Sequence, residues 1–143
     1  MSEYTVQELF SMIHDKSKSI KTIKLPAEAA AIFVRYQNRK QENFIVASVD
    51  GAHAVISVRV ITKGLANRTL VHPREIFRNA IIDNAAAIIL CHNHPSGNTT
   101  PSTEDRDITA ILEDAGRILG IEVLDHIIIS KNGFYSFQEY GDL

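Results

Sequence analysis

The residues of this chain that could do chemistry lie close together, in the segment HNHPSGNTTPSTED that begins at His92. The imidazole groups of His92 and His94 and the carboxylate of Asp105 form a set of three ligands of the kind that catalytic zinc sites use. Zinc takes such ligands at about 2.0–2.2 Å and keeps a fourth position open. Water bound at the open position has a pKa of about 7 and becomes a usable nucleophile. The segment therefore predicts a single zinc site formed by these three residues.

Ser102 has two interpretations. A hydrolytic zinc site needs a donor that stabilises the oxyanion formed during the reaction, and Ser102 lies one helical turn before Asp105. The same pair also fits an N-cap serine with an acid three residues later, which needs no metal. The two roles are compatible, and we expect both. Two histidines one residue apart are a weak signal by themselves, so a structural cluster without metal stays open as an alternative.

The strand and helix patterns predict how these groups are positioned. The run AAAIILC is apolar throughout, which is typical of a central strand covered on both faces. Residues two apart on a strand face the same way, so His92 and His94 should point to one side of its carboxyl end, where α/β sheets bind ligands. Pro95 should end the strand. The loop that follows is long enough to return Asp105, in the first turn of the next helix, to the histidines.

The remaining sequence predicts one α/β domain, residues 25–143, with a mixed sheet flanked by helices, preceded by a helix and arm over residues 1–24. Asp50-Gly51 lies between two β-branched runs and predicts a hairpin. The predicted helices are residues 4–14, 26–39, 73–83 and 102–119, and the predicted strands are residues 43–50, 54–64, 85–91, 122–130 and 134–137.

Composition excludes several classes of protein. A chain of 143 residues with 45% hydrophobic residues can bury a core, and its net charge of −2 argues against a strongly basic nucleic-acid surface. The single cysteine, Cys91, rules out an internal disulfide and a cysteine-rich zinc site, and we expect it to be a small core residue. The first residues do not resemble a signal peptide, and the apolar runs are too short to span a membrane. We therefore expect a cytoplasmic protein with no membrane partner.

The spacing His92-x-His94-Pro95-x6-Ser102-x2-Asp105 resembles the JAMM motif of the MPN+ metalloproteases. The longer string HNHPSGNTTPSTED resembles the RadC family, which carries a DNA-repair label, and VHPREIFRNAI and LDHIIIS extend the resemblance over residues 25–137. The resemblance implies the MPN fold, which is similar to that of cytidine deaminases. Longer RadC-like members carry an N-terminal helix-hairpin-helix DNA-binding region. We expect no room for one in this chain, so direct nucleic-acid binding should be weak or absent.

The resemblance also implies an upstream glutamate, because JAMM enzymes use one just before a strand that neighbours the metal. Glu42 directly precedes the predicted strand at residue 43 and follows a predicted helix, so the family pattern favours Glu42 as the general base. By residue type alone, a glutamate at a strand edge is usually just solvated. The acids compared with it are Glu28, Asp50, Glu75 and Asp83.

Several functions compete at this stage. The resemblance implies a zinc hydrolase that cleaves a peptide or isopeptide bond in a protein or peptide substrate, with Glu42 as base and Ser102 as oxyanion donor. The alternative is a non-catalytic MPN-like module of a DNA-processing or mobile-element complex, and a homodimer is open in either case. A zinc deaminase needs the pattern P-C-x-x-C, which one cysteine excludes, and the slightly acidic composition disfavours a nuclease. His126 is either a partner of the site or, as we favour, a core or edge histidine.

Overall fold

The computed structural model describes residues 5–6, 22–63 and 71–143. In this part of the chain, helices flank a five-stranded sheet with the order β2-β1-β3-β4-β5. The strands are β1 (Asn43–Val49), β2 (Val55–Lys63), β3 (Ala87–Asn93), β4 (Glu122–Ser130) and β5 (Gly133–Ser136). The helices are α1 (Pro26–Ile32), α2 (Pro73–Ile82) and α3 (Thr103–Leu119). The predicted helix at residues 4–14 lies almost entirely outside the described residues.

The sheet is mixed, as the sequence predicts. Strand β1 pairs antiparallel with both β2 and β3, β3 pairs parallel with β4, and β4 pairs antiparallel with β5. Parallel neighbours need a crossover connection, and α3 supplies it between β3 and β4. All seven residues of β3 are buried, which confirms the central strand. The carboxyl ends of β3 and β4 therefore meet at one edge of the sheet, beside the start of α3.

Two cores cover the two faces of the sheet. On β3, Ile89 and Cys91 face the core under α1, whereas Ile88 and Leu90 face the core under α2 and α3. The expectation that Cys91 is a core residue is confirmed. Because strand residues alternate, the next even-numbered residue, His92, falls on the face that α3 covers.

The alternation of β4 changes phase near its beginning. Val123 faces the core under α3 and Leu124 packs against the core under α1, but Ile127 then also faces the core under α1. The register between β3 and β4 shifts at the same place, where partner residues step from Val123 to Asp125. A shift of one residue moves the following side chains to the opposite face. His126 consequently lies on the same face as His92.

Two local predictions need correction. The helix predicted for residues 26–39 ends at Ile32, and the chain tightens into a 3-10 turn that buries Val34 and Tyr36. The hairpin between β1 and β2 is present, but the residue with positive φ is His53 (φ 62°) rather than Gly51. The Asp50 carboxylate forms this turn, because its Oδ1 accepts hydrogen bonds from two backbone N–H groups beyond it. Within the described residues, no helix combines the length and the apolar character needed to cross a membrane.

Candidate metal centre

Four side chains meet at the carboxyl end of β3. The Nε2 atoms of His92 and His94 are 2.9 Å apart, so the two rings do face the same side of the strand. Asp105 reaches both rings, with Oδ1 at 3.2 Å from His92 Nε2 and Oδ2 at 3.4 Å from His94 Nε2. Glu42 Oε1 lies 3.7 Å from His94 Nε2. One ligand atom from each of Glu42, His92 and His94 lies within 4.8 Å of the others.

The register between β1 and β3 explains why Glu42 lies beside His94. In the pairing of β1 with β3, Phe44 lies opposite His92. Continuing this antiparallel register by two residues places Glu42 opposite His94. The position that the family pattern favours is therefore also the position that the sheet brings to the histidines, although residue type alone indicated a merely solvated glutamate.

The donor atoms fit a tetrahedral metal ion. Two ligand atoms held at about 2.0–2.1 Å from zinc in tetrahedral geometry are about 3.3 Å apart. The two Nε2 atoms are 2.9 Å apart, and each lies 3.2 or 3.4 Å from a different oxygen of Asp105, close to that value. Glu42 could also contribute a carboxylate oxygen, but its contact with His94 is longer, at 3.7 Å. The residues present therefore fit zinc, with Asp105 better placed than Glu42 to be the third ligand.

The backbone sets the ring of His94. Its Nδ1 lies 2.6 Å from the carbonyl oxygen of Asn98, which can only accept a hydrogen bond. Nδ1 therefore carries the hydrogen, and a neutral ring then offers the lone pair of Nε2 toward the other ligands.

The loop that provides this carbonyl is anchored to β4. The Gly97 carbonyl accepts hydrogen bonds from Ser130 Oγ and Asn132 Nδ2, both at 3.1 Å. Gly97 has φ 90°, and a Cβ there would lie 2.6 Å from Asn132 Nδ2. A glycine is therefore required where this loop turns.

Asp105 combines two roles. It forms a capping box with Ser102 at the start of α3: its N–H donates to Ser102 Oγ at 3.1 Å, and its Oδ2 accepts from the Ser102 N–H at 2.9 Å. Its side chain is fully buried, and burial acts to raise the pKa of Asp105. Close contacts with the His92 and His94 side chains and the hydrogen bond from the Ser102 N–H outweigh burial and hold that pKa well below its ordinary range, so the carboxylate is ionised.

The predicted cap at Ser102 is confirmed. A hydroxyl that accepts a hydrogen bond can still donate its own hydrogen, so the cap is compatible with the predicted role of Ser102 as oxyanion donor. That role stays a prediction.

Asn93, which separates the two histidines, holds the backbone on either side of Glu42. Its side chain is buried on the opposite face of β3, where Oδ1 accepts from the Asn43 N–H at 2.7 Å and Nδ2 donates to the Gln41 carbonyl at 2.9 Å. Sequence reasoning missed this residue. The sequence did offer one indication of its role, since Asn93 is a polar residue at a position that strand alternation assigns to a core.

A second concave region lies at the opposite edge of the sheet. A cavity of about 650 Å³ opens there beside the first residues of β3 and β4, and Gly116 and Ile121 contribute to its lining. Its lining residues include no histidine or cysteine. Among the described residues, the group of side chains that could hold a metal ion lies at the carboxyl edge.

Comparison with known proteins gives a consistent family. A family model described as RadC-like JAB domain matches residues 23–142. The chain is 53% identical over 105 residues to a UPF0758 protein of Methanospirillum hungatei, covering 73% of this chain and 47% of that protein. It is 48% identical over 118 residues to a UPF0758 protein of Clostridium perfringens, covering 82% of this chain and 52% of that protein. The chain therefore spans about half the length of these curated relatives.

Proposed function

This chain belongs to the family of RadC-like JAB domains, and from that premise we propose that it is a zinc-dependent hydrolase of the JAMM type that cleaves a peptide or isopeptide bond. The observation that supports this most directly is the convergence of His92, His94 and Asp105: the two Nε2 atoms are 2.9 Å apart, and each lies within 3.4 Å of a carboxylate oxygen of Asp105. These three residues would hold the metal. A zinc ion bound there would supply a water of pKa about 7 and a Lewis acid for the substrate carbonyl.

The residues of the chain have separate tasks in this proposal. Glu42, whose side chain is 15% exposed beside His94, takes the proton of the attacking water and passes it to the leaving amine nitrogen. The Ser102 hydroxyl donates to the carbonyl oxygen as that oxygen becomes negative. Asp105 stays ionised throughout, because its contacts with the two rings and the hydrogen bond from the Ser102 N–H hold its pKa low.

The substrate side of the proposal follows from charge. A net charge of −2 gives no general attraction for a phosphate backbone, so we propose a protein or peptide substrate in the cytoplasm rather than a nucleic acid. The alternative of a non-catalytic module would have to account for a buried, ionised Asp105 beside two imidazoles. The Ser102 N–H already stabilises this buried charge, and a cation bound between Asp105 and the two imidazoles would stabilise it further.

The test is the metal content of the purified protein, measured by elemental mass spectrometry without added metal. We expect about one zinc per chain in the wild type and a loss of zinc in both His94→Ala and Asp105→Ala. His72→Ala is the matched control, since His72 precedes α2 without a side-chain capping bond and should keep the metal. Glu42→Gln should keep zinc and lose hydrolysis of isopeptide-linked peptides. Zinc-free wild type, with equally stable variants, would contradict the proposal.

A further inference from the structure

A chain of hydrogen bonds runs from the back of His92 to the start of α3. The Nδ1 of His92 lies 2.8 Å from Nε2 of His126 on β4. The other ring nitrogen of His126 lies 2.5 Å from Oγ1 of Thr109 on α3, and that oxygen lies 2.6 Å from the backbone carbonyl oxygen of Asp105. The chain therefore begins at one proposed metal ligand and ends on the backbone of another. Neither Thr109 nor His126 is part of the JAMM spacing.

The last acceptor fixes the direction of both bonds made by Thr109, and a neutral His126 then fixes the third. A carbonyl oxygen can only accept, so the Thr109 hydroxyl donates its one hydrogen to Asp105. The Thr109 oxygen must then accept from Nδ1–H of His126. A neutral His126 is left with a lone pair at Nε2 and accepts from Nδ1–H of His92.

The surroundings of His126 favour the neutral ring. His126 is fully buried, its ring stacks on Phe137 with centroids 4.7 Å apart, and the ring of Phe44 lies 5.6 Å away. A charged imidazolium in such an apolar setting is costly. It would also donate from both nitrogens, and the Nδ1 of His92 would then have to accept.

We infer that Thr109 and His126 are positioning residues that set His92 in the tautomer with hydrogen on Nδ1, so that its Nε2 lone pair faces His94 and Asp105. The inference rests on the proposed metal centre. Metal-binding histidines commonly donate their second N–H to a carboxylate or carbonyl, which fixes ring orientation and tautomer. Here the acceptor is instead the neutral imidazole of His126. The tautomer of His126 is set through Thr109 by the Asp105 carbonyl of α3.

The arrangement also couples two ligands. Thr109 follows Asp105 by one turn of α3, and the carbonyl that ends the hydrogen-bond chain belongs to Asp105 itself. A displacement of the first turns of α3 would therefore move the Asp105 carboxylate and disturb the tautomer of His92 together. A buried Thr–His pair that merely satisfies its own hydrogen bonds would stabilise the fold without controlling the state of His92.

The experiment compares Thr109→Val, which keeps the side-chain shape and removes the hydroxyl, with Thr109→Ser, which keeps the hydroxyl. Zinc affinity is measured by competition with a chromophoric chelator, and ring nitrogen shifts of His126 are read by NMR with and without zinc. We expect Thr109→Val to lose about 10–100-fold in zinc affinity and to lose the fixed Nδ1–H tautomer of His126. Thr109→Ser should retain both properties of the wild type.

Two outcomes would overturn the inference. One is a folded Thr109→Val variant with wild-type zinc affinity and an unchanged His126 tautomer. The other needs no variant: wild-type His126 found protonated at Nε2, or at both nitrogens. Wild-type protein that binds no zinc but shows the Nδ1–H tautomer would instead contradict the proposed metal function, since the spectrum reads the tautomer independently of the metal.

Discussion

The two histidines of the candidate metal centre are held in opposite ways. On the inner flank, formed by His92, His126 and Thr109, His92 is fully buried and is contacted from behind by His126 of β4, which Thr109 of α3 contacts in turn. On the outer flank, formed by His94, Glu42 and the 95–98 loop, the side chains of His94 and Glu42 are 13% and 15% exposed. There the His94 Nδ1–H donates to the backbone carbonyl of Asn98.

This difference separates two kinds of dependence on sequence. The inner flank depends on particular side chains within a packed core, so changes there should affect stability and metal binding together. The outer flank depends on the backbone path of a loop and of the residues before β1. Changes there at positions other than His94 and Glu42 should be tolerated unless they move the backbone, and the partial exposure leaves that side accessible to a substrate.

The largest effect on stability should come from Phe137→Ala, which removes the ring packed against His126 of the inner flank. Phe137 is 1% exposed and stacks on His126, so its removal leaves a cavity beside that ring. We expect the free energy of unfolding in urea to fall by about 3–5 kcal/mol and zinc affinity to fall with it. Tyr140→Ala, at an aromatic residue that is 66% exposed, is the control and should cost far less. A loss below about 1 kcal/mol for Phe137→Ala would mean that the inner flank is not tightly packed.

A smaller effect is expected for Asn93→Leu, which keeps the size of the side chain and removes its hydrogen bonds to the backbone on either side of Glu42. The buried Asn43 N–H and the Gln41 carbonyl would lose their partner, at a cost of about 1–3 kcal/mol in unfolding free energy. Zinc content should stay at the wild-type level, whereas hydrolysis should fall because Glu42 is no longer held. Loss of zinc in a folded Asn93→Leu protein would show that the two flanks are not separable.

The pH dependence of stability should distinguish Asp125→Asn from the wild type. Burial raises the pKa of Asp125 despite hydrogen bonds from Ser136 and from the backbone of Gln138 and His126. The native state therefore binds this proton more tightly than the unfolded state does. The contribution of Asp125 to stability is full below the unfolded pKa of about 3.9 and is lost as pH rises through the raised folded pKa.

Urea titrations from pH 4 to 7 would measure this dependence, with the unfolding free energies of the wild type and Asp125→Asn compared at each pH. We expect the stability of the wild type relative to Asp125→Asn to decline as pH rises. A stability difference that does not change with pH would mean that burial does not raise the pKa of Asp125.

The smallest effect is expected for Asn98→Ala on the outer flank. The bond to His94 uses the Asn98 carbonyl, which alanine keeps, and the side chain accepts only a local bond from the Thr100 N–H among its described contacts. Zinc binding, measured by chelator competition, should change by less than about 0.5 kcal/mol. A tenfold loss of affinity would show that the loop depends on side chains after all.

Local rules were sufficient for part of the site. Alternation along β3 predicted that His92 and His94 share a face, and the serine and acid three residues apart predicted the cap that carries Asp105. Glu42 needed the family resemblance, because the residue that lies opposite His94 depends on the pairing of β1 with β3. The overlong prediction for α1 failed because a strong apolar pattern does not show where a helix tightens into a 3-10 turn.

His126 shows why the remainder could not be predicted. We favoured a core or edge histidine, and the residue is indeed buried, but it also contacts His92. Strict alternation from Val123 would place His126 on the opposite face of the sheet, and the register shift between β3 and β4 reverses that result. Thr109 was missed for a related reason, since its contact with His126 depends on how α3 packs on β4.

Because α3 connects β3 to β4, the parts of the candidate centre should form in a definite order during folding. The cap that orients Asp105 is local and can form as soon as the helix does, on the sub-microsecond to microsecond timescale of helix formation. His126 lies 34 residues from His92 and reaches it only after α3 has folded back and β4 has paired with β3. Pairing parallel strands across such a long connection is slow compared with forming a helix. Tight zinc binding would therefore report that the tertiary structure is complete, and a folding intermediate without β4 in place would bind the metal weakly.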